Sequence, residues 1–295
     1  MTRRYWPLIL FLAGLWGASY LFIKVGVDGG LSPGALMCAR AAIAGVVLLA
    51  YLCATLGTRT AVARLRQAWR QSVVLGALNA AIPFWLVAWG ETHIDSGLAG
   101  IAQATVPIFS VLIGLRFLPH ERIGPERLAG IGLGLVGVAF VVGGAPGGGV
   151  WGAAGTLAVV LASVFYASAA IYGQLHLTGT TSGPVLATGS ILVATLILLP
   201  LAIADPPTSM PTTGAIVSLL LLALLGTAVG QLVLFRVIGL FGARRLSLVT
   251  YLMPGFALVY GALILDERVS VAALFGLVLI LLGVALGSGT IRLRR

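Results

Sequence analysis

Ionisable side chains are scarce inside the apolar stretches of this sequence, and three of them are candidates for chemistry. Lys24, the only lysine, lies late in the first apolar block, and Arg40 lies about two turns into the second. Glu91 lies at the end of the third block. Ionisable groups inside a membrane are costly and usually functional. Lys24 and Arg40 could attract a carboxylate or pair with Glu91 or Asp28, and Glu91 could bind a cation or a proton. The alternatives are snorkelling of Lys24 to the interface, a structural ion pair for Arg40 and a solvated helix end for Glu91.

All eight acidic residues lie at or near the ends of apolar blocks. This arrangement argues against a single mid-membrane carboxylate that binds a cationic drug and a proton in turn. Glu91, His93 and Asp95 form the only group that resembles an active site, and it is too small to indicate an enzyme. The sequence has no Walker motif, no nucleophile elbow and no Cys/His metal spacing. We therefore predict no catalytic residues, no cofactor and no metal ion.

Uncharged polar and aromatic residues inside the blocks are better candidates for lining a substrate cavity. A side-chain amide in hydrocarbon costs several kcal/mol when it has no hydrogen-bond partner. Facing a wet cavity removes that cost, as does a bond to another helix worth about 1 kcal/mol, and both interpretations stay open for Gln103 and Gln231. The predicted substrate-binding residues are Trp16, Ser19, Tyr20, Asn79, Trp85, Gln103, Tyr166, Gln231 and Tyr251.

Two prolines lie centrally in the fourth and ninth blocks. Pro107 and Pro254 each remove a backbone hydrogen bond from a helix. Their matching positions predict a pair of hinges that free carbonyl groups near the site. A static kink is the alternative.

The elements that position these residues follow from the composition. The 295 residues are 59% hydrophobic and only 9% charged, whereas a soluble domain is about a quarter charged, so a soluble enzyme is excluded. Ten apolar blocks lie near the length of about 20 residues that crosses a bilayer as a helix, and they lack the alternation of barrel strands. The blocks are 6–26, 33–56, 72–92, 96–117, 126–143, 151–172, 184–204, 213–236, 244–265 and 270–288.

The net charge of +10 indicates topology, because the basic residues form no continuous stripe of the kind that binds nucleic acid. With ten crossings, every basic residue except Lys24, Arg40 and Arg268 falls on one side of the membrane. The positive-inside rule then predicts that both termini are cytoplasmic. The basic stretch 58–71 is predicted to be a cytoplasmic loop that rests on anionic lipid headgroups. Membrane lipids are therefore predicted partners, and nucleic acid is not.

An internal repeat relates residues 1–145 to residues 150–290, with five blocks in each half. An odd number of crossings means that the second half enters the membrane inverted, which is the architecture of alternating-access carriers. Small residues recur along the fifth and tenth blocks and predict close helix packing, within a monomer or at the face of a homodimer. The matching positions are Pro107 and Pro254, Glu121-Arg122 and Glu267-Arg268, Gly130 and Gly276, and Gly137-Val138-Ala139 and Gly283-Val284-Ala285.

These features resemble the drug/metabolite transporter superfamily and, within it, the EamA-type ten-helix exporters. The resemblance covers nearly the whole chain and implies a ten-helix carrier of a bacterial inner membrane that exports amino acids or other small metabolites. One departure is Ile191, which stands where the repeat would place the partner of Arg40. The matching residues are Trp16-Gly17-x-Ser19, Lys24, Pro33 with Arg40, Pro107 with Glu121-Arg122, and Pro254 with Asp266-Glu267-Arg268.

The sequence therefore predicts an all-α membrane protein of ten transmembrane helices in two inverted five-helix repeats. Its predicted function is secondary transport, the export of small amphipathic metabolites, amino acids first, by alternating access. Drug or lipid-linked sugar transport and a membrane-embedded enzyme are the alternatives. The predicted partners are a small-molecule substrate and membrane lipids.

Overall fold

The computed structural model describes residues 5–118, 124–143, 149–177, 182–207, 210–241 and 243–287. Within these ranges the chain is built from helices and contains no strand. The helices are α1 Trp6–Asp28, α2 Pro33–Leu56, α3 Thr58–Gln67, α4 Trp69–Glu91, α5 Ser96–Phe117, α6 Pro125–Gly143, α7 Gly149–His176, α8 Gly183–Ala204, α9 Thr213–Phe241, α10 Ala243–Ile264 and α11 Val271–Gly287.

Seven of these helices are long and apolar enough to cross a membrane: α1, α2, α4, α5, α7, α8 and α9. Shorter apolar helices lie within α6, α10 and α11. The surface carries large exposed apolar side chains such as Leu196, Ile203 and Leu263. A soluble monomer rarely exposes so much apolar surface, whereas lipid accepts it. The predicted all-helical membrane fold is confirmed to this extent, and the count of ten spanning helices stays a prediction.

The basic stretch 58–71 was predicted to be a loop, but it is helical over Thr58–Gln67 and again from Trp69, so the loop assignment was wrong. Its position on the cytoplasmic side stays a prediction. Gly57 leaves α2 with a positive φ of 79° and starts α3. Ala61 then packs into an apolar cluster with Leu52 and Val185, while Arg64 stays exposed. Burial of one narrow face stabilises this short polar helix. Because α3 contains few apolar residues, it does not stand out in the sequence as an apolar block.

Helices α2 and α8 pack side by side and run antiparallel. Gly34 of α2 lies against the backbone of Leu201, and further along α2 Gly45 lies against Leu192. A Cβ on Gly34 would lie 2.8 Å from the Leu201 carbonyl oxygen. This contact therefore requires glycine and lets the two backbones approach closely.

Helices α6 and α11 also pack side by side and run antiparallel. Gly137 lies against Gly276, and Gly283 lies against Gly130. A Cβ on Gly137 would lie 2.7 Å from the Gly276 carbonyl oxygen. The two glycine-rich stripes of the sequence thus face each other within one chain. Glu121 and Arg122, the counterparts of Glu267 and Arg268, lie outside the described residues.

The α1–α2 loop contacts the α8–α9 loop at one end of the molecule. The Thr212 amide donates to the Gly29 carbonyl oxygen over 2.9 Å, and the Ser32 hydroxyl donates to the Asp205 carbonyl oxygen. Ser32 also caps α2 by accepting from the Ala35 amide over 3.2 Å. One serine therefore both starts a helix of the first half and contacts a loop of the second.

Candidate functional site

Two of the long helices contain a π-helical turn in mid-course. The turn in α4 covers Ala77–Ala81, and the turn in α9 covers Leu222–Val229. They occupy corresponding places in the third and eighth apolar blocks. π turns are often found at functional sites. Sequence analysis missed both, because neither contains a proline to mark it.

Trp16 reaches the second π turn from α1. Its Nε1 donates to the Gly226 carbonyl oxygen over 3.1 Å. A Cβ on Gly230 would lie 2.7 Å from that nitrogen, so the close approach of the indole depends on a glycine there. Ser19 is buried beside Gly226 and donates to the Leu15 carbonyl oxygen over 3.4 Å. Two predicted site residues of α1 thus face the interrupted part of α9.

Arg40 of α2 is buried and contacts the same π turn. Its Nε donates to the Thr227 hydroxyl over 2.8 Å, and its Nη1 lies 3.6 Å from the Met37 Sδ. The guanidinium lies over the Phe84 ring, with Cζ 3.9 Å from the ring centroid, a cation–π contact. Neither Thr227 nor Met37 carries a negative charge, so Arg40 is not part of a structural ion pair in the described chain.

Glu91 is fully buried at the end of α4, with 0% of its surface exposed. Neither oxygen of its carboxyl group has a hydrogen-bond partner among the described residues. Lys24 lies beside it but donates to the Glu91 backbone carbonyl oxygen over 3.0 Å. The Lys24 ammonium also pairs with the Asp28 carboxylate at 3.2 Å. Glu91 is therefore not a solvated helix end, and Lys24 has a carboxylate partner of its own.

Gln103 of α5 joins the two halves of the chain. Its Nε2 donates over 3.1 Å to the hydroxyl of Ser163 on α7, while its Oε1 is buried without a partner in the described chain. Tyr166 lies about one turn beyond Ser163 on α7. Gln103 therefore forms the interhelical bond that was one of its two predicted roles, with one acceptor left over.

Tyr20, which is buried, and Tyr166, which is half-buried, complete a group of polar side chains. Tyr20 is buried next to Gly100 of α5. Arg40 interacts electrostatically with both tyrosines and with Glu91. We call Tyr20, Arg40, Glu91, Gln103 and Tyr166 the buried polar cluster.

Four other predicted residues are half-buried and form no hydrogen bond with this cluster within the described residues. They are Asn79 in the first π turn, Trp85 on α4, Gln231 just beyond the second π turn and Tyr251 on α10. Trp85 stacks on Trp89 with ring centroids 6.4 Å apart. No side-chain hydrogen bond is found for Asn79 or Gln231 within the described ranges. Their predicted role in binding stays a prediction.

The two prolines differ in their surroundings. In α5 the α-helical stretch ends at Gln103 and resumes at Val106, directly before Pro107. In α10 the helix continues through Pro254, which is buried. Helix α5 is thus interrupted just before its proline, whereas α10 is continuous through its own. The predicted role of the two prolines as hinges stays a prediction.

Glu267 holds the start of α5, which sequence analysis did not predict. Its carboxylate accepts from the Ser96 amide over 2.8 Å, from the Ser96 hydroxyl over 2.9 Å and from the Gly97 amide over 2.9 Å. A carboxylate at a helix N-terminus satisfies free amides and the helix dipole. The partners are about 170 residues apart in sequence, so only the fold reveals the contact.

The group Glu91, His93 and Asp95 does not converge on a common point. The His93 Nδ1 lies 2.7 Å from the Thr92 hydroxyl and 3.1 Å from the Trp89 carbonyl oxygen. Burial raises the pKa of Asp95, and Glu267 raises it further, against a smaller lowering by Lys24. The described residues contain no cluster of side chains suited to a metal ion.

The chain is similar to known transporters over nearly its whole length. The model of the EamA-like transporter family matches residues 4–143 and again residues 153–289. A probable terminal-alkyne amino-acid exporter of Streptantibioticus cattleyicolor is 28% identical over 97% of this chain and 93% of its own length. A probable amino-acid metabolite efflux pump of Escherichia coli is 25% identical over 100% and 98% of the two chains. A solved crystal structure at 20% identity covers 96% of both chains with a TM-score of 0.66, which shows a common fold.

The chain belongs to the EamA-like transporter family. It is thus an integral, multi-pass membrane protein of a transporter class, as predicted. The buried polar cluster is the candidate for the place where a solute contacts the protein.

Proposed function

We propose that this protein is a secondary transporter that exports small amphipathic metabolites, and amino acids above all, by alternating access. The observation that carries the proposal is a group of buried polar side chains with unpaired atoms in the interior of a family transporter. Such groups are costly in an apolar interior. A solute that pairs with them offsets this cost.

Two relatives with full-length similarity are named as an amino-acid exporter and an amino-acid efflux pump. The identity is low, so these names support the substrate class without fixing it. A second relative from Escherichia coli, the uncharacterized inner membrane transporter YedA, is 27% identical over 73% of this chain and 68% of its own length. Its name supports placing this protein in a bacterial inner membrane. The one-sided distribution of basic residues supports the proposal that both termini are cytoplasmic.

We further propose two five-helix halves, residues 1–145 and 150–290, inserted in opposite orientations to give ten spans. The antiparallel packing of α2 against α8 and of α6 against α11 supports this, because each pair comes from equivalent places in the two halves. Rocking of the halves, with Pro107 and Pro254 as hinges, would open the cluster to either side of the membrane.

Flux measurements test the function. The purified full-length protein is reconstituted into liposomes loaded with unlabelled L-leucine, and entry of labelled L-leucine by exchange is followed against protein-free liposomes. Exchange above the protein-free level supports amino-acid transport. If amino acids give no flux while other metabolites do, the substrate assignment is wrong and the transporter class stands.

A further inference from the structure

Positive charge is concentrated on the exposed side of α3 and the start of α4. The sequence contains no acidic residue between Asp28 and Glu91. In the part of the chain that the structure describes, the only salt bridge joins Lys24 to Asp28, so the arginines of this segment have no ion-pair partner there. The segment therefore presents four positive charges that another molecule can neutralise. The four exposed arginines are Arg59, Arg64, Arg66 and Arg70.

Helix α3 lies at the level where the spanning helices end. Helix α4, which is long and apolar enough to cross a membrane, begins at Trp69, directly after the short break that ends α3. With ten residues and three arginines, α3 itself is too short and too polar to span. Its buried side, at Ala61 and Ala68, packs in the apolar cluster with Leu52 near the end of α2 and Val185 near the start of α8. The opposite side of α3 is therefore left at the edge of the membrane.

Apolar side chains lie among these arginines on the exposed surface. Trp69 is 57% exposed, and Val62 and Val73 are also exposed. The Arg70 guanidinium lies 5.4 Å from the centroid of the Trp69 ring. Tryptophan is enriched where lipid headgroups meet the hydrocarbon region, and arginine packs its stem on apolar groups while its charged end reaches water or headgroups. A dissolved anion would pair with the arginines alone and leave the apolar side chains in water.

We propose that α3 is an interfacial helix whose exposed arginines bind the phosphate groups of anionic phospholipids. The planar guanidinium group pairs with phosphate oxygens through two parallel hydrogen bonds, and a cluster of arginines beside a spanning helix attracts anionic lipid. Val62 and Trp69 would contact the region just below the headgroups. The structure restricts the contact to one side of the basic stretch, because Ala61 and Ala68 on the other side are buried in protein. The inference concerns a lipid partner and is independent of the proposed transport function.

Quenching of tryptophan fluorescence by brominated lipids tests this proposal. The purified full-length protein is reconstituted into vesicles that contain equal amounts of phosphatidylglycerol and phosphatidylcholine. In one set of vesicles only the phosphatidylglycerol carries brominated acyl chains, and in the other set only the phosphatidylcholine does. Bromine quenches tryptophan at short range, so the difference between wild type and Trp69→Phe gives the quenching of Trp69 by each lipid.

We expect brominated phosphatidylglycerol to quench Trp69 about threefold more than brominated phosphatidylcholine, since even one arginine near an anionic surface gives a preference of this order. Joint replacement Arg64→Gln and Arg66→Gln should bring the ratio close to one, and it leaves the contact of Arg70 with Trp69 intact. The control is Arg116→Gln with Arg236→Gln, which removes two exposed arginines of other helices and should keep the preference. Raising the salt concentration should weaken the preference of the wild type, because salt screens exposed charges.

Three results would overturn the proposal. The first is equal quenching by the two lipids in the wild type, and the second is a preference that persists without Arg64 and Arg66. The third is no quenching of Trp69 by either lipid, which would show that this surface faces water and is open to a soluble acidic partner instead. The salt dependence of the wild type is a test that needs no arginine variant. None of these results affects the liposome exchange assay, so the transporter assignment is judged separately.

Discussion

The Glu267 carboxylate accepts three hydrogen bonds from the first two residues of α5, two of them from Ser96. The contact joins the α10–α11 connection to a helix of the first half. The carboxylate lies close against Gly261, where an added Cβ would be 2.2 Å from the Glu267 Oε2. This end of α5 is thus held by a residue far away in sequence.

Replacing Glu267 by Gln is expected to destabilise the protein by about 1–3 kcal/mol, because an amide nitrogen cannot accept a bond from a helix amide. Thermal unfolding of the purified protein in detergent measures the loss. The control is Asp266→Asn, an exposed neighbour with a positive φ of 54° that asparagine adopts readily. Equal melting temperatures for the two variants would contradict the capping role.

Replacing Gly137 by Ala is expected to lower the melting temperature, because the added methyl group would lie 2.7 Å from the Gly276 carbonyl oxygen and 2.9 Å from Ile280. Gly132 lies in the same helix with nothing within 4 Å of its added Cβ. Gly132→Ala is therefore the matched control, and it should be neutral or stabilising by up to about 1 kcal/mol. A Gly137→Ala variant as stable as Gly132→Ala would show that α6 and α11 are not in close contact.

Replacing Trp16 by Phe removes the donor to the Gly226 carbonyl oxygen and keeps an aromatic ring. We expect a loss of about 1 kcal/mol and slower leucine exchange, because this bond fixes the interrupted part of α9. Trp6→Phe, at an exposed position near the start of α1, is the control. Unchanged exchange and stability in Trp16→Phe would mean that the indole bond has no role in positioning the π turn.

Replacing Asp95 by Asn tests an electrostatic effect outside the membrane spans. The raised pKa of Asp95 in the folded protein means that its proton is held more tightly there than in the unfolded chain. This favours folding at low pH, and the contribution is lost as the pH rises through the folded-state pKa. Asp95→Asn should therefore melt at a higher temperature than wild type near neutral pH and at the same temperature in acid. A difference that does not depend on pH would contradict this origin.

Much of the helical framework could be predicted from the sequence, because long apolar runs have few other stable forms in lipid. The fourth block, 96–117, coincides with α5, and the other blocks agree within a few residues. Arg40 lies about two turns into α2 and Glu91 lies at the end of α4, both as predicted. Their surroundings were not predictable, since the Thr227 partner of Arg40 is 187 residues away in sequence and lies in a π turn. The burial of Glu91 likewise follows from tertiary packing, in which Gly90 lies against Gly155.

Lys24 supplies the sole side-chain amine of the whole sequence, and its ammonium is held by Asp28 and the end of α4, with 17% of the side chain exposed. Amine-selective labels therefore have one side-chain target, placed beside the buried polar cluster. A fluorophore or spin label introduced there would report on that region without any engineered cysteine.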